Sequence, residues 1–184
     1  MPTFPPGALK INVSFNHISG IRSKAFFALS DLRELYLDNN VLSEVEICNG
    51  NNSVSLTLQR LGLRNNMLDN TSLGDLFCLQ ELQNLDIRGN VYNNYPESIP
   101  ALLNLNLLQI DVFQDFHFNR SFLSLTNLSE LVLQPRGMLT IENNSFEGLY
   151  NSPIRDMHMR FGGHVHKHIG KNFLHPFRFL KILY

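Results

Sequence analysis

The chain has 184 residues, 43% hydrophobic and 17% charged, which is enough for one domain with a sizeable core that folds without a cofactor. Fifteen basic residues against sixteen acidic ones exclude a global field that would draw it to nucleic acid or an anionic membrane. No apolar run approaches the roughly 18 residues that span a bilayer, and the start, Met1-Pro2-Thr3-Phe4-Pro5-Pro6, lacks the basic-then-apolar order of a secretion signal.

A repeat runs through the chain from its first segment. Ala8, Ile11, Val13 and Asn16 give a weak copy, and Leu32-Arg33-Glu34-Leu35-Tyr36-Leu37-Asp38-Asn39-Asn40 gives a full one of the form L-x-x-L-x-L-x-x-N. Leu58, Leu61, Leu63 and Asn66 repeat it, as do Leu82, Leu85, Ile87 and Asn90. Three later copies keep the apolar triplet, at Leu105/Leu108/Ile110, Leu128/Leu131/Leu133 and Ile154/Met157/Met159, and replace the asparagine by Phe113, Arg136 and Gly162. From Asn16 to Gly162 this column advances by a nearly even step, in the range that marks leucine-rich repeats.

L-x-L alternation sends two side chains to one face of a short strand and the residue between them to the other. One strand cannot bury that face alone, so the pattern predicts stacked coils and a parallel sheet lining the concave side of a horseshoe. Asn16, Asn40, Asn66 and Asn90 are expected to form a ladder, each amide bonding the backbone of the next coil. After each strand, spacings of three to four predict short helical or 3₁₀ turns on the convex side: Ile18, Ile21, Phe26, Leu29; Leu73, Leu76, Leu79; Phe122, Leu125; Phe146, Leu149. The fold class is therefore α/β, a leucine-rich-repeat solenoid.

These units, with Phe26 in Ala25-Phe26-Phe27-Ala28-Leu29, resemble the typical class of extracellular leucine-rich repeats, most of all a segment of a Toll-like receptor ectodomain. Mixed repeat lengths and the lost asparagines at Phe113, Arg136 and Gly162 support that likeness, which covers about residues 8 to 184. It implies a pattern-recognition receptor that binds microbial protein, glycolipid or nucleic acid and signals as a homo- or heterodimer, attached to a membrane only through parts outside this sequence. The alternative is a secreted or cell-surface adhesion or matrix protein that does not signal. Cysteine-rich caps, a membrane span and a cytoplasmic domain are missing from the sequence. Leu180-Lys181-Ile182-Leu183-Tyr184 matches the start of a further strand, so residues 1–184 read as one uncapped solenoid fragment of about seven repeats and a truncated eighth.

Six N-x-S/T acceptors, at Asn12, Asn51, Asn70, Asn119, Asn127 and Asn143, exceed the roughly two expected by chance and point to an extracellular or endosomal-lumenal location. Cys48 and Cys78 stand near the starts of successive convex segments; a bridge between them and two packed thiols are both open readings.

The outward strand residues make the default binding surface. Its central column holds Asn12, Tyr36, Gly62, Asp86, Gln109, Val132 and His158, and its neighbour Ser14, Asp38, Arg64, Arg88, Asp111, Gln134 and Arg160. Arg60, Arg64 and Arg88, flanked by Tyr36, form a candidate basic patch for phosphate, sulfate or carboxylate. In the competing reading these charges are solvated or paired with Asp38, Asp86 and Asp111. Histidines gather toward the end of the chain, at His158, His164, His166, His168 and His175, with the middle three alternating. They read as an exposed loop, a pH-sensitive contact or, with no carboxylate or cysteine beside them, a weak metal site. No G-x-S-x-G elbow, phosphate-cradling glycine loop, C-x-x-C pair or H-E-x-x-H helix is present, which argues against an enzyme.

Overall fold

Each L-x-L triplet forms a strand too short to hold itself, and its stability comes from the coils on either side. The computed structural model describes residues 7–22, 25, 29–48, 57–159 and 166–183, with residues 166–168 as backbone only. The chain divides into two compact units, Met1–Asn104 and Leu105–Tyr184.

In the first unit, β1 (Lys10–Asn12), β3 (Glu34–Tyr36), β5 (Arg60–Gly62) and β6 (Asn84–Asp86) pair in parallel. Ile11, Leu35, Leu61 and Leu85 lie directly opposite one another, all buried, so the strands repeat with the period of the sequence. On the return leg, β2 (Gly20–Ile21) pairs in parallel with β4 (Glu44–Val45). The next coil returns through α1 (Asn70–Gly74), which Asp69 caps by accepting the Ser72 N–H, and then a 3₁₀ turn at Asp75–Cys78. A further 3₁₀ turn at Ile99–Ala101 closes the unit. Cys48 and Cys78 are joined in a disulfide that ties two coils, with 5.5 Å between their Cα atoms.

The asparagine ladder is present but reaches the other way. Asn40 accepts the Ile18 N–H and donates to the carbonyl of Val13, both in the preceding coil, and to that of Leu37 in its own. Asn66 serves Leu42, Leu37 and Leu63 alike, and Asn90 serves Leu68, Leu63 and Ile87. Asn16 is exposed and bonds Val13 and Ser14 within its own coil. The residue before each column asparagine turns the chain with positive φ: Phe15 at 59°, Asn39 at 56°, Asn65 at 53° and Gly89 at 73°. Asparagine and glycine tolerate that left-handed geometry, whereas a phenylalanine there is strained.

In the second unit, β7 (Leu107–Val112), β8 (Glu130–Pro135), β10 (Asp156–Met159) and β12 (Ile182–Leu183) pair in parallel, again one strand to each repeat. β7 and β8 have six residues each, against three in the first unit, because no asparagine at 113 or 136 turns the chain out of the sheet. β9 (Leu139–Ile141) and β11 (His166–Ile169) form a second parallel pair. The return legs are 3₁₀ turns at Arg120–Ser124 and Glu147–Leu149, over an aromatic core. Phe146 lies 5.3 Å from Phe116, 5.9 Å from Phe118 and 5.1 Å from Phe177 by ring centroids. Gly148 permits this packing, since a Cβ there would overlap the carbonyl of Asn119. Phe26, Gly162 and Tyr184 of the sequence reading lie outside the described residues.

Candidate functional site

The outward side chains of β1, β3, β5 and β6, with the residues that follow them, make one continuous surface within the first unit. It brings together Tyr36, Asp38, Arg60, Arg64, Asp86 and Arg88 of the sequence reading. Parallel pairing sets side chains in rows across the strands, and one row reads Lys10, Glu34, Arg60, Asn84.

Charges in that row are already matched. Glu34 lies 3.0 Å from Lys10 and 2.8 Å from Arg60, and it accepts the Tyr36 hydroxyl at 3.1 Å. The hydrogen bond from Lys10 holds the Glu34 carboxyl below its ordinary range, and Glu34 in turn raises Lys10. The Lys10 ammonium also stands 5.0 Å from the centre of the Tyr36 ring. These contacts fix the Tyr36 ring on a polar frame. Lys10 and Glu34 are the members of the site that the sequence reading missed, although their place beside Ile11 and Leu35 marks them as outward.

The basic patch is not formed as expected. Arg88 is buried, 5% exposed, and grips Asp86 through two hydrogen bonds of 2.9 and 2.7 Å. Arg60 is spent on Glu34. Arg64 differs: its backbone N–H donates to Asp38 Oδ1 at 2.8 Å, while its side-chain Nε is buried with no hydrogen-bond partner. The second reading, pairing with aspartates, is right for Arg88 and Asp86. In the second unit Asp111 is fully buried against Arg136, 3.2 Å away, so it is a structural ion and not a group offered to a ligand. His158 is half-buried on β10, and Arg160 lies outside the described residues.

Gly62 opens the middle of the surface. The Asp38 carboxylate leans into the space its missing side chain leaves, and a Cβ on Gly62 would stand 2.5 Å from Asp38 Oδ2. Burial raises the Asp38 carboxyl above its ordinary range, and the negative charge of Asp86 adds to the rise. The result is a platform with an aromatic ring, a half-buried carboxylate and a guanidinium, all on a rigid ladder. It holds no pairing of nucleophile with base.

Of the glycan acceptors, Asn12 and Asn119 are exposed, Asn70 is half-buried and hydrogen-bonded to the next coil, and Asn51 lies outside the described residues. Asn127 and Asn143 are also exposed. Among the described residues no group of three histidines, cysteines or carboxylates is placed to hold a metal, and no helix is long and apolar enough to cross a membrane. His164 lies outside the described residues.

The leucine-rich-repeat family pattern matches residues 9–55. Mouse opticin is 33% identical over 103 residues, which make up 50% of this chain and 30% of opticin. Mouse nephrocan is 31% identical over 108 residues, 48% of this chain and 21% of nephrocan. The chain thus spans less than a third of the length of these curated relatives. Among solved structures, an internalin from Listeria monocytogenes aligns with a TM-score of 0.67 at 18% identity, covering 95% of this chain and 46% of the internalin. That likeness speaks to the fold. The repeat, the strand register, the asparagine ladder and these likenesses agree on the leucine-rich-repeat solenoid fold, with the family pattern itself matched over residues 9–55.

Proposed function

We propose that this chain is the binding surface of an extracellular leucine-rich-repeat protein that organises protein partners in the matrix or at the cell surface without signalling. The observation that carries the reading is the platform of Tyr36, Asp38, Arg64 and Asp86, built on the rigid ladder of β3, β5 and β6. Mixed charge beside a partly exposed ring suits protein recognition, and the rigid base lowers the ordering cost of binding. The Cys48–Cys78 bridge and the six acceptor sequons support an oxidising, glycosylating compartment. Likeness to opticin and nephrocan favours this reading over a receptor.

The second reading is a Toll-like receptor ectodomain segment that takes microbial protein, glycolipid or nucleic acid and dimerises in a longer protein. One observation favours it: the coils at Phe113 and Arg136 depart from the regular repeat and extend their strands. In either role residues 1–184 act as one solenoid.

Purified chain applied to decellularised connective-tissue matrix separates these possibilities. The native chain is retained, and the double variant Arg64→Glu, Asp38→Lys is retained about tenfold less. Equal retention of the two proteins would refute the platform as the binding surface. Ligand-dependent dimers formed with microbial extracts, without matrix retention, would favour the receptor.

A further inference from the structure

Among the described acceptor sequons, Asn12, Asn70 and Asn119 differ in whether a sugar can coexist with the folded coils. Sugar attachment uses the asparagine Nδ2, which displaces the pyrophosphate from C1 of a lipid-linked oligosaccharide. The C1–O bond breaks, a C1–N bond forms, Nδ2 gives up one of its two protons, and the lipid pyrophosphate leaves. The amide left behind is secondary and trans, so the sugar takes the position syn to Oδ1, where the primary amide carried a hydrogen.

At Asn70 that hydrogen is in use. Oδ1 accepts the Asn93 N–H at 3.1 Å, and Nδ2 donates to the carbonyl of Asn94 at 2.8 Å. An amide that accepts and donates to adjacent residues along one edge does so through the N–H syn to its oxygen, the one the sugar replaces. The hydroxyl of the same sequon is committed as well, since Ser72 Oγ donates to the carbonyl of Ser43 at 2.8 Å. Asn70-Thr71-Ser72 therefore stitches three successive coils through the side chains of Asn70 and Ser72. Asn70 is also the first residue of α1, whose cap Asp69 binds the Ser72 N–H.

Asn12 and Asn119 show the opposite arrangement. In each, Oδ1 accepts the backbone N–H of the hydroxyl residue two places on, Ser14 at 3.0 Å and Ser121 at 2.9 Å. At Asn119 the Ser121 hydroxyl donates to the same oxygen. Both carboxamides are exposed and held through oxygen alone, so both protons of Nδ2 remain available.

We propose that Asn12 and Asn119 carry N-linked glycans in the folded protein and that Asn70 is an inter-coil clamp whose glycosylation the fold rejects. The proposal rests on the extracellular reading above. It also has a consequence for the platform: Asn12 is the register partner of Tyr36, so a glycan there screens the β1 end of the surface. Ligand contact is then concentrated toward Gly62 and Asp86.

The test is to carry the full chain into the secretory pathway of a eukaryotic host behind a cleavable leader and to map glycopeptides in exported and cell-retained protein. Expected are glycans on Asn12 and Asn119 in exported material, and Asn70 occupancy about tenfold lower there than in the retained pool, because the inter-coil hydrogen-bond pair to Asn93 and Asn94 is lost on attachment. Asn70 glycosylated in exported protein as fully as Asn119 would overturn the proposal, as would bare Asn12 and Asn119. A chain that is never exported counts against the extracellular reading alone, and occupancy is then read on the protease-resistant lumenal pool. As a second measurement, Asn70→Gln in carbohydrate-free protein speeds amide exchange of the Asn93 N–H, while Asn119→Gln leaves it unchanged. An unaltered Asn93 rate in the Asn70 variant would remove the clamp.

Discussion

In the first unit the buried joints between coils are neutral amides, beside the Cys48–Cys78 bridge and the surface row of Lys10, Glu34 and Arg60, whereas in the second they are a buried charge pair and aromatic rings. Asn40, Asn66 and Asn90 each satisfy backbone groups in two coils, and the chain leaves the sheet after three strand residues. At the matching positions the side chains of Phe113 and Arg136 cannot accept a backbone N–H, so β7 and β8 run on for six residues and satisfy that backbone by pairing with each other. Arg136 turns its guanidinium onto Asp111 instead, and Phe118, Phe122 and Phe146 pack ring against ring in the core of the unit. The same repeat length thus tolerates two ways of joining coils, provided that every buried backbone group finds a partner.

If the second unit depends on its rings, Phe146→Ala should have the largest effect of any single change. Phe146 is fully buried in contact with Phe116, Phe118, Phe173 and Phe177, and its loss should cost about 4 kcal/mol. Urea unfolding checks this, and a loss of under about 1 kcal/mol would mean that the rings are not the mainstay. Asn90→Ala tests the first unit, because it strands the Leu68 N–H and the carbonyl of Ile87 in a buried site and takes one of two amide donors from the carbonyl of Leu63, at about 3 kcal/mol. Asn16→Ala should be nearly silent by the same assay, since Asn16 is exposed and bonds within its own coil. Equal losses for the two variants would show that the ladder is not what stabilises the unit.

Arg136→Ala leaves the Asp111 carboxylate buried without this cation. A fully buried pair would lose about 3 kcal/mol, reduced to about 2 because Arg136 is one-third exposed. Asp111→Asn added to Arg136→Ala should recover part of the loss, and a strictly additive double variant would rule out the ion pair as the joint. Phe15→Asn should do the reverse and stabilise by about 1 kcal/mol, because asparagine accepts the left-handed backbone that phenylalanine resists. Phe15 is also 80% exposed, so little buried area is given up. A lower melting temperature for this variant would show that the ring makes a contact worth more than the strain.

Much of this was legible because spacing alone sets the register: the intervals between Leu35, Leu61 and Leu85 are the strand intervals of the first unit. The direction of the ladder was not, since both neighbouring coils offer backbone groups and only the turn geometry chooses between them. Charge pairing was missed for Glu34 and Arg60, which stand opposite each other in register once the strands pair. It was legible as one of two readings for Arg88, which pairs with Asp86 two residues back in its own coil. Asp111 looked outward by analogy with Asp38, and the longer β7 buried it. Phe15 gave no signal, because its strained backbone is imposed by the coil and a phenylalanine does not announce such a turn.

The smallest effect concerns the charge at the centre of the platform. Burial, aided by Asp86, raises the Asp38 carboxyl, so the folded protein holds that proton more tightly than the unfolded chain. Asp38 therefore favours folding below the ordinary aspartate range, and that contribution is lost as pH rises through the folded-state value. Glu34 has the opposite sign, because Lys10 lowers its carboxyl: its contribution is present above the ordinary glutamate range and is lost as pH falls through the folded-state value. The two partly cancel in the native chain. Asp38→Asn keeps an oxygen for the Arg64 N–H and removes the titration, so stability should climb more steeply from about pH 4 to about pH 7, by less than about 1 kcal/mol. Urea midpoints at the two pH values measure the slope. An unchanged slope would mean that the Asp38 carboxylate is better solvated than its place over Gly62 implies, and that the first unit's surface, unlike the second unit's Asp111–Arg136 joint, stores no electrostatic cost.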